Sequence, residues 1–520
     1  MAPATDDASF QVVILAGGEC KRLYPLTSAG TFKALLPVGN RPLISYPLRN
    51  LADAGIKSCI VVAIGEAVSR SVAAHLAAEE ADGGVACSVT TVPEECGTAD
   101  ALRSVAGQIS AGSLVVFSGD TITDVPLRAL VATHQTSGAL ATVLVGQRKT
   151  SPTTETKPGK PPRGVDYLGL DASRTRLLFA ASSPEALRDI KLPLAAAAQA
   201  GALSLHTDLQ DQHLYVLSRE ALSLLVGAGG LSSLKLDFIP WLTRHTLRTR
   251  PPGSGGPGAR RPPGGGAAFL LLGRAPSSSS LASASSLPHS TGAGGDGGGG
   301  AADGGAGPGG GAGPGGDAAD GAGAGALAGG GGGGGLGGGG CGAVGASYMG
   351  LSHSGAAAGG WAAGRVGVHL VPPGRYCARV NTVQAYGEVN REVAAVDTAL
   401  HLTGLSLSKY DNCVPPSVTL GAKATIGPAC IVGEDCVVGD KSSVKRSVLG
   451  RNVKLGAGVK VINCVLMDGV AVADGAHVQN TILCAGAAVQ ERCTLKDCQV
   501  GPAFVVAAAS EHKSETLART

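Results

Sequence analysis

From Val414 onward the chain repeats itself, and the repeat leaves little choice of fold. Aliphatic residues stand six apart at Leu420, Ile426, Val432, Val438 and Val444. The step shortens to five at Leu449. The rhythm five, six, six then runs through Leu455, Val461, Leu466, Val472, Val478, Leu483, Val489, Leu495 and Val500. One cycle is seventeen residues, as Leu455, Val472 and Val489 show. Three hexapeptides with one residue dropped at a fixed corner predict a hexapeptide β-helix, whose three short strands make one triangular coil. Alternation along a strand sends the residue two places earlier to the same inner face. Those positions hold Cys430, Cys436, Ser442, Ser447, Cys464, Ala476, Ala487, Cys493 and Cys498, small residues that suit a narrow interior. Five of the thirteen cysteines are thereby read as packing, not as metal ligands or redox pairs. There is no C-x-x-C pair and no Cys/His cluster at zinc spacing, so reduced thiols in a cytosolic chain are expected. The β-helix is assigned to 414–506, with 507–520 as a tail.

The first half has a different rhythm. Gln11–Leu15, Cys59–Ile64, Ser113–Phe117 and Ala139–Val145 read as buried strands, and Leu43–Ala54 has helical apolar spacing. Strands separated by helix-length segments predict βαβ units, hence an α/β, Rossmann-like domain with a mostly parallel sheet over 1–249. Between 250 and 365 the composition collapses into Gly, Ala, Pro and Ser, which takes up much of the chain's 81 glycines. Such a segment buries too little apolar surface to offset its conformational entropy, so an insert without fixed structure is expected. Residues 366–413 then read as a return segment and linker. The net charge of +3 gives no reason to expect nucleic acid or a membrane surface as partner. The N-terminus lacks the pattern of a secretory signal, and no apolar run is long enough to span a bilayer.

Leu15-Ala-Gly-Gly-Glu-Cys-Lys-Arg-Leu-Tyr-Pro-Leu-Thr27, followed by Lys33-Ala-Leu-Leu-Pro-Val38, resembles the opening of the nucleotidyltransferases that make sugar nucleotides. Glu95-Cys-Gly-Thr-Ala-Asp-Ala-Leu102 and Val115-Val-Phe-Ser-Gly-Asp120 are similar to two later elements of that family. The resemblance implies a glycine-rich turn at Gly17 and Gly18 that wraps a triphosphate with backbone N–H groups. Arg22 and Lys33 match the residues that neutralise the departing pyrophosphate. Gly97 and Thr98 match the segment that approaches the base, and Asp120 matches a magnesium ligand.

The catalytic pattern is broken. Cys20 and Lys21 stand where the enzymes have glycine and a small hydroxyl residue, and Phe32 replaces a proline. A Cβ at Cys20 crowds a turn where positive φ is wanted. No counterpart of the sugar-phosphate Glu-Lys pair or of a second metal aspartate is found between Val165 and Leu217. Asp208 and Asp211 flank His206 and His213 and read as a solvated polar turn. Asp120 alone would hold magnesium loosely, since the ion takes several oxygen ligands. No catalytic residue, metal site or cofactor is assigned. Weak nucleotide or magnesium binding is left to the remnant Gly17, Gly18, Arg22, Lys33, Gly97, Thr98 and Asp120.

Asp166-Tyr-Leu-Gly-Leu-Asp171, His206-Thr-Asp-Leu-Gln-Asp-Gln-His-Leu-Tyr215, Leu236-Asp-Phe-Ile-Pro-Trp-Leu242, Arg379-Val-Asn-Thr-Val-Gln-Ala-Tyr386 and Lys441-Ser-Ser-Val-Lys-Arg-Ser-Val-Leu-Gly450 resemble the gamma-subunit family of translation initiation factor 2B. That family joins a nucleotidyltransferase-like domain to a left-handed β-helix. The resemblance implies a non-catalytic, scaffolding chain of a cytosolic guanine-nucleotide exchange complex. It also implies the partners: the epsilon subunit, the other subunits of initiation factor 2B, and initiation factor 2. Epsilon carries a further helical domain after the same two. Only a short tail is expected here after the repeats, which favours the gamma type. Lys441, Lys445, Arg446, Arg451 and Lys454 are a candidate docking cluster for an acidic partner. They also read as the solvated edge of the β-helix. Two other functions stay open: a GDP-mannose or ADP-glucose type pyrophosphorylase, and a sensor of nucleotide or sugar phosphate.

Overall fold

Short apolar runs such as Val12–Leu15 and Leu114–Phe117 have no polar alternation, and they form strands covered on both faces. The computed structural model describes residues 10–18, 20–28, 30–149, 165–182, 190–193, 196, 198, 201–248, 269–272 and 364–518. Its first domain is built on β1 (Phe10–Gly17), α1 (Ser45–Asp53), β2 (Ser58–Ile64), α2 (Glu66–Ala81), β3 (Ala86–Val92), α3 (Thr98–Val105) and β4 (Ser113–Ser118). It continues through α4 (Leu127–Ser137), β5 (Ala141–Gln147), β6 (Leu209–Ser218), α5 (Arg219–Gly227), α6 (Ile239–Arg248), β7 (Val366–Leu370), β8 (Cys377–Arg379) and α7 (Val383–Ala394).

Seven strands form one sheet in the order β7-β5-β6-β4-β1-β2-β3. Only β6 runs against its neighbours; the other pairings are parallel. One face packs Val13, Val116 and Val143 against Leu102 of α3 and Leu225 of α5. The other packs Ile14, Val61 and Phe117 against Leu51 of α1, Val72 of α2 and Leu130 of α4. The parallel α/β expectation is met.

The domain boundaries are not where the sequence placed them. Val366–Leu370, assigned to a return segment, is the seventh strand of the main sheet, parallel to β5 from Val366↔Ala141 to Leu370↔Val145. Five residues on the far side of a glycine-rich stretch gave no periodic signal, yet their backbone completes the sheet edge. The insert assigned to 250–365 lies outside the described residues, apart from 364–365 and Phe269–Leu272. The latter is a strand antiparallel to Ile190–Pro193.

The repeats form three parallel six-stranded sheets, the faces of a left-handed β-helix. Its strands run from Thr419–Leu420 to Thr516–Leu517, so the segment taken as a tail is a further coil. The signal faded there because His512 stands in register with Val444, Val461, Val478 and Leu495. Every coil turns through left-handed residues at its corners, including Lys441, Arg446, Asn463, Asn480, Arg492 and Asp497. The nine small inward residues are all fully buried, and Val453, Val459 and Val470 fill equivalent places, so the interior also accepts valine. Burial pushes the Cys464 thiol up to about 12, as suits a packing residue.

One face of the prism is itself covered. Its outward residues Ile431, Val448, Val465 and Ile482 are buried. Val465 and Ile482 join Leu36, Val38, Tyr386 and Val389 of the first domain in one apolar cluster. Asn40 donates from Nδ2 to the Leu449 carbonyl at 2.6 Å. Among the described residues no helix is long and apolar enough to cross a membrane.

Candidate functional site

The charged centre lies beyond the C-terminal end of β4. Gly119 lets the chain turn there: a Cβ would stand 3.1 Å from the Ala16 Cα and the Leu15 oxygen, and its N–H bonds that oxygen at 2.9 Å. Asp120 follows, only 4% exposed. Its carboxylate is fully engaged. Lys33, on a 3-10 turn over Lys33–Leu35, makes an ion pair with Oδ2. Arg379 donates from Nε to Oδ1 at 3.1 Å and from Nη2 to Oδ2 at 2.8 Å. The Ser118 hydroxyl donates to Oδ1 at 2.7 Å. A two-pronged guanidinium–carboxylate contact is among the stronger polar pairings. Burial alone would raise the Asp120 carboxyl, but Arg379 and Lys33 outweigh it and hold it well below the usual carboxylate range.

Arg379 reaches this place by strand pairing. β8 lies antiparallel to Thr121–Thr123 with Arg379 opposite Thr121, and the Val380 N–H bonds the Asp120 carbonyl at 2.9 Å. In sequence Arg379 stands 259 positions from Asp120, in a stretch taken for linker. The sequence reading missed it for that reason.

A second buried pair adjoins the first. Asp166, 2% exposed, accepts from Lys235 Nζ at 2.8 Å, from the Ser182 hydroxyl at 2.8 Å and from the Asp211 N–H at 3.0 Å. Asp211 is not in a solvated turn. It is 4% exposed within β6 and accepts the Tyr215 hydroxyl at 2.9 Å and the His213 N–H at 2.7 Å. Burial raises its carboxyl despite Lys235 nearby. Asp208 does lie in an exposed bend beside His206. His213, with φ +56, is held well below the usual imidazole range by burial and by Arg379 and Lys235.

The other expected residues scatter. Gly17, at φ +76, faces open space, while a Cβ on Gly18 would meet Ile64 at 3.0 Å. Cys20 takes an extended backbone, φ −129 and ψ 96, so the strain expected from a positive φ there does not arise. Arg22 is exposed on the next turn. Gly97 and Thr98 are occupied by the chain itself. A Cβ on Gly97 would lie 2.3 Å from the Ser232 carbonyl oxygen, and the Thr98 hydroxyl accepts the Leu234 N–H at 2.8 Å. Ser232 also accepts the Ala99 N–H at 2.8 Å and donates to Asp100 at 2.8 Å. Of the seven remnant residues, the structure joins Lys33 and Asp120 directly.

These residues do not fit the magnesium that such a fold would use. Both Asp120 oxygens face cations, and the next carboxylate beside Arg379, Asp211, is already hydrogen-bonded. A divalent ion would have to displace two positive side chains. The basic cluster is not one surface either. Lys445 lies on the face built from Ser443–Lys445 and its partners, and Lys454 on another; Lys441, Arg446 and Arg451 sit at or beside different corners. All five are exposed.

Fold and site together define a class: a nucleotidyltransferase-type domain carrying a left-handed β-helix. A family model described as Nucleotidyl transferase matches residues 11–155, and one described as EIF2B subunit epsilon LbH domain matches residues 411–511. Within that class the chain is similar to the gamma subunits of translation initiation factor eIF2B. It is 28% identical to that of Schizosaccharomyces pombe over 242 residues, which covers 45% of this chain and 51% of the relative. It is 26% identical to that of Dictyostelium discoideum over 229 residues, covering 42% and 52%. The chain thus spans about half the length of these relatives. A glucose-1-phosphate thymidylyltransferase of Neisseria gonorrhoeae is 36% identical over 110 residues, covering 21% and 37%.

Proposed function

We propose that this chain is a non-catalytic subunit of an initiation factor 2B complex, pairing with an epsilon-type paralogue and supporting nucleotide exchange on initiation factor 2 in the cytosol. The observation that carries the reading is the neutralised Asp120. A nucleotidyltransferase needs a carboxylate free to hold a metal over the phosphates, and here Lys33 and Arg379 hold it. The similarity to gamma subunits supplies the rest. The docking surface narrows to the face that carries Lys445, where the exposed Lys460 stands on the next coil and Lys496 and Lys513 three and four coils further along. No nucleic acid, membrane or cofactor enters this reading.

Affinity purification of the native protein tests it. Recovery with an epsilon-like paralogue and initiation factor 2 subunits is expected; recovery of the chain alone would overturn the assignment. The similarity to thymidylyltransferases keeps a sugar-nucleotide synthase as the second reading.

A further inference from the structure

Two cysteines outside the β-helix have no part in anything described so far. Cys59 and Cys87 are register partners on the adjacent parallel strands β2 and β3, and their sulfurs lie 3.5 Å apart. Among the described residues no other two cysteine sulfurs are in contact. Neighbouring strands run ~4.8 Å apart, within the ~4.4–6.8 Å between Cα atoms that a disulfide spans. Side chains standing parallel on one face keep their Cβ atoms at about that strand spacing of ~4.8 Å, wider than the ~3.5–4.5 Å a relaxed disulfide prefers. From 3.5 Å, bonding these sulfurs needs only a small movement of the two side chains.

The two thiols differ in access. Cys59 is buried, while Cys87 is half-buried on β3, the edge strand of the sheet. A cavity of about 350 Å³ reaches both, bordered by Gln11, Ser58, Glu80 and Ser88. The hydrogen bond between the sulfurs, together with burial, pushes the Cys59 thiol up, and the same bond draws Cys87 down. Cys87, the more accessible of the two and on the edge strand, is the attacking thiol, and the buried Cys59 the resolving one.

We propose that Cys87 and Cys59 form a reversible disulfide on exposure to hydrogen peroxide, making this sheet edge an oxidative modification site. The Cys87 thiolate attacks one peroxide oxygen; the O–O bond breaks, hydroxide leaves, and Cys87 becomes a sulfenic acid. The Cys59 sulfur then attacks the Cys87 sulfur. The S–S bond forms, the S–O bond breaks, and hydroxide departs as water with the Cys59 proton. Two thiols lose two electrons, and one peroxide becomes two waters. The cross-link ties β3 to β2, away from the charged centre and the β-helix.

Peptide mapping of the full-length chain tests the proposal. After peroxide treatment and alkylation of remaining thiols, mass spectrometry should find the Cys59 and Cys87 peptides joined, two hydrogens lighter than their sum, and separated again by a dithiol reductant. In Cys59→Ala the linked species should vanish and Cys87 should be trapped as a sulfenic acid by a cyclic diketone. If both wild-type thiols are still fully alkylated after a peroxide dose that oxidises Cys20 or Cys96, the proposal is overturned. The wild-type result decides the matter even if the variant does not fold.

Discussion

At the scale of residues, the site is a set of buried charges that satisfy one another. Removing one member exposes the others. Asp120→Ala leaves Lys33 and Arg379, 16% and 12% exposed, without their carboxylate. Losing one partner of a buried pair costs about 3–5 kcal/mol, which a urea titration of the purified chain would show. Asp120 also sets an acid limit. Its folded carboxyl titrates below its unfolded value, so its stabilisation is whole above about pH 4 and is lost as pH falls further. His134 acts at milder pH. Burial lowers its imidazole to about 4 in the folded chain, so below about pH 6.5 the unfolded chain takes up a proton that the native one refuses. Stability should fall by about 2 kcal/mol between about pH 6.5 and about pH 5, and His134→Asn should flatten that slope. Lys33 and Asp120 were legible because they sit in ordered motifs near the start of the chain. Arg379 and Lys235 were not, since an ion pair between distant segments leaves no local pattern.

At the scale of elements, the β-helix was the most legible part, because stacking copies one constraint in every coil. Cys464, fully buried with its thiol against the Ile462 carbonyl at 3.1 Å, tests that constraint. Cys464→Leu should cost about 1–3 kcal/mol through overpacking. Cys464→Ser should cost less, since Ser447 already donates to the Lys445 carbonyl from an equivalent place. The last coil escaped notice where His512 broke the aliphatic row. The segment Ser232–Leu234 escaped it too, for nothing local says that a polar turn will cover Gly97 and Thr98. Gly97→Ala would push its Cβ into the Ser232 carbonyl. Faster hydrogen exchange at the Ala99 and Leu234 amides should report the displaced segment.

At the scale of the whole molecule, one face of the β-helix is sealed against the first domain and the others carry its exposed charge. The sequence suggested a single basic patch because its five residues are close along the chain. A coil distributes such neighbours around its axis and gathers residues seventeen apart. Reversing Lys445 and Lys496 together should therefore lower recovery of partner subunits several-fold while thermal stability is kept; unchanged recovery would remove that face from the assembly. The molecule keeps the nucleotidyltransferase-type sheet, while the carboxylate that would hold a metal is tied up by the chain's own cations. Incubating the pure protein with magnesium, each nucleoside triphosphate and a set of sugar 1-phosphates, and following pyrophosphate, tests it most directly. Release no faster than in a protein-free control is expected; turnover of even about one per second, low for an enzyme, would contradict it.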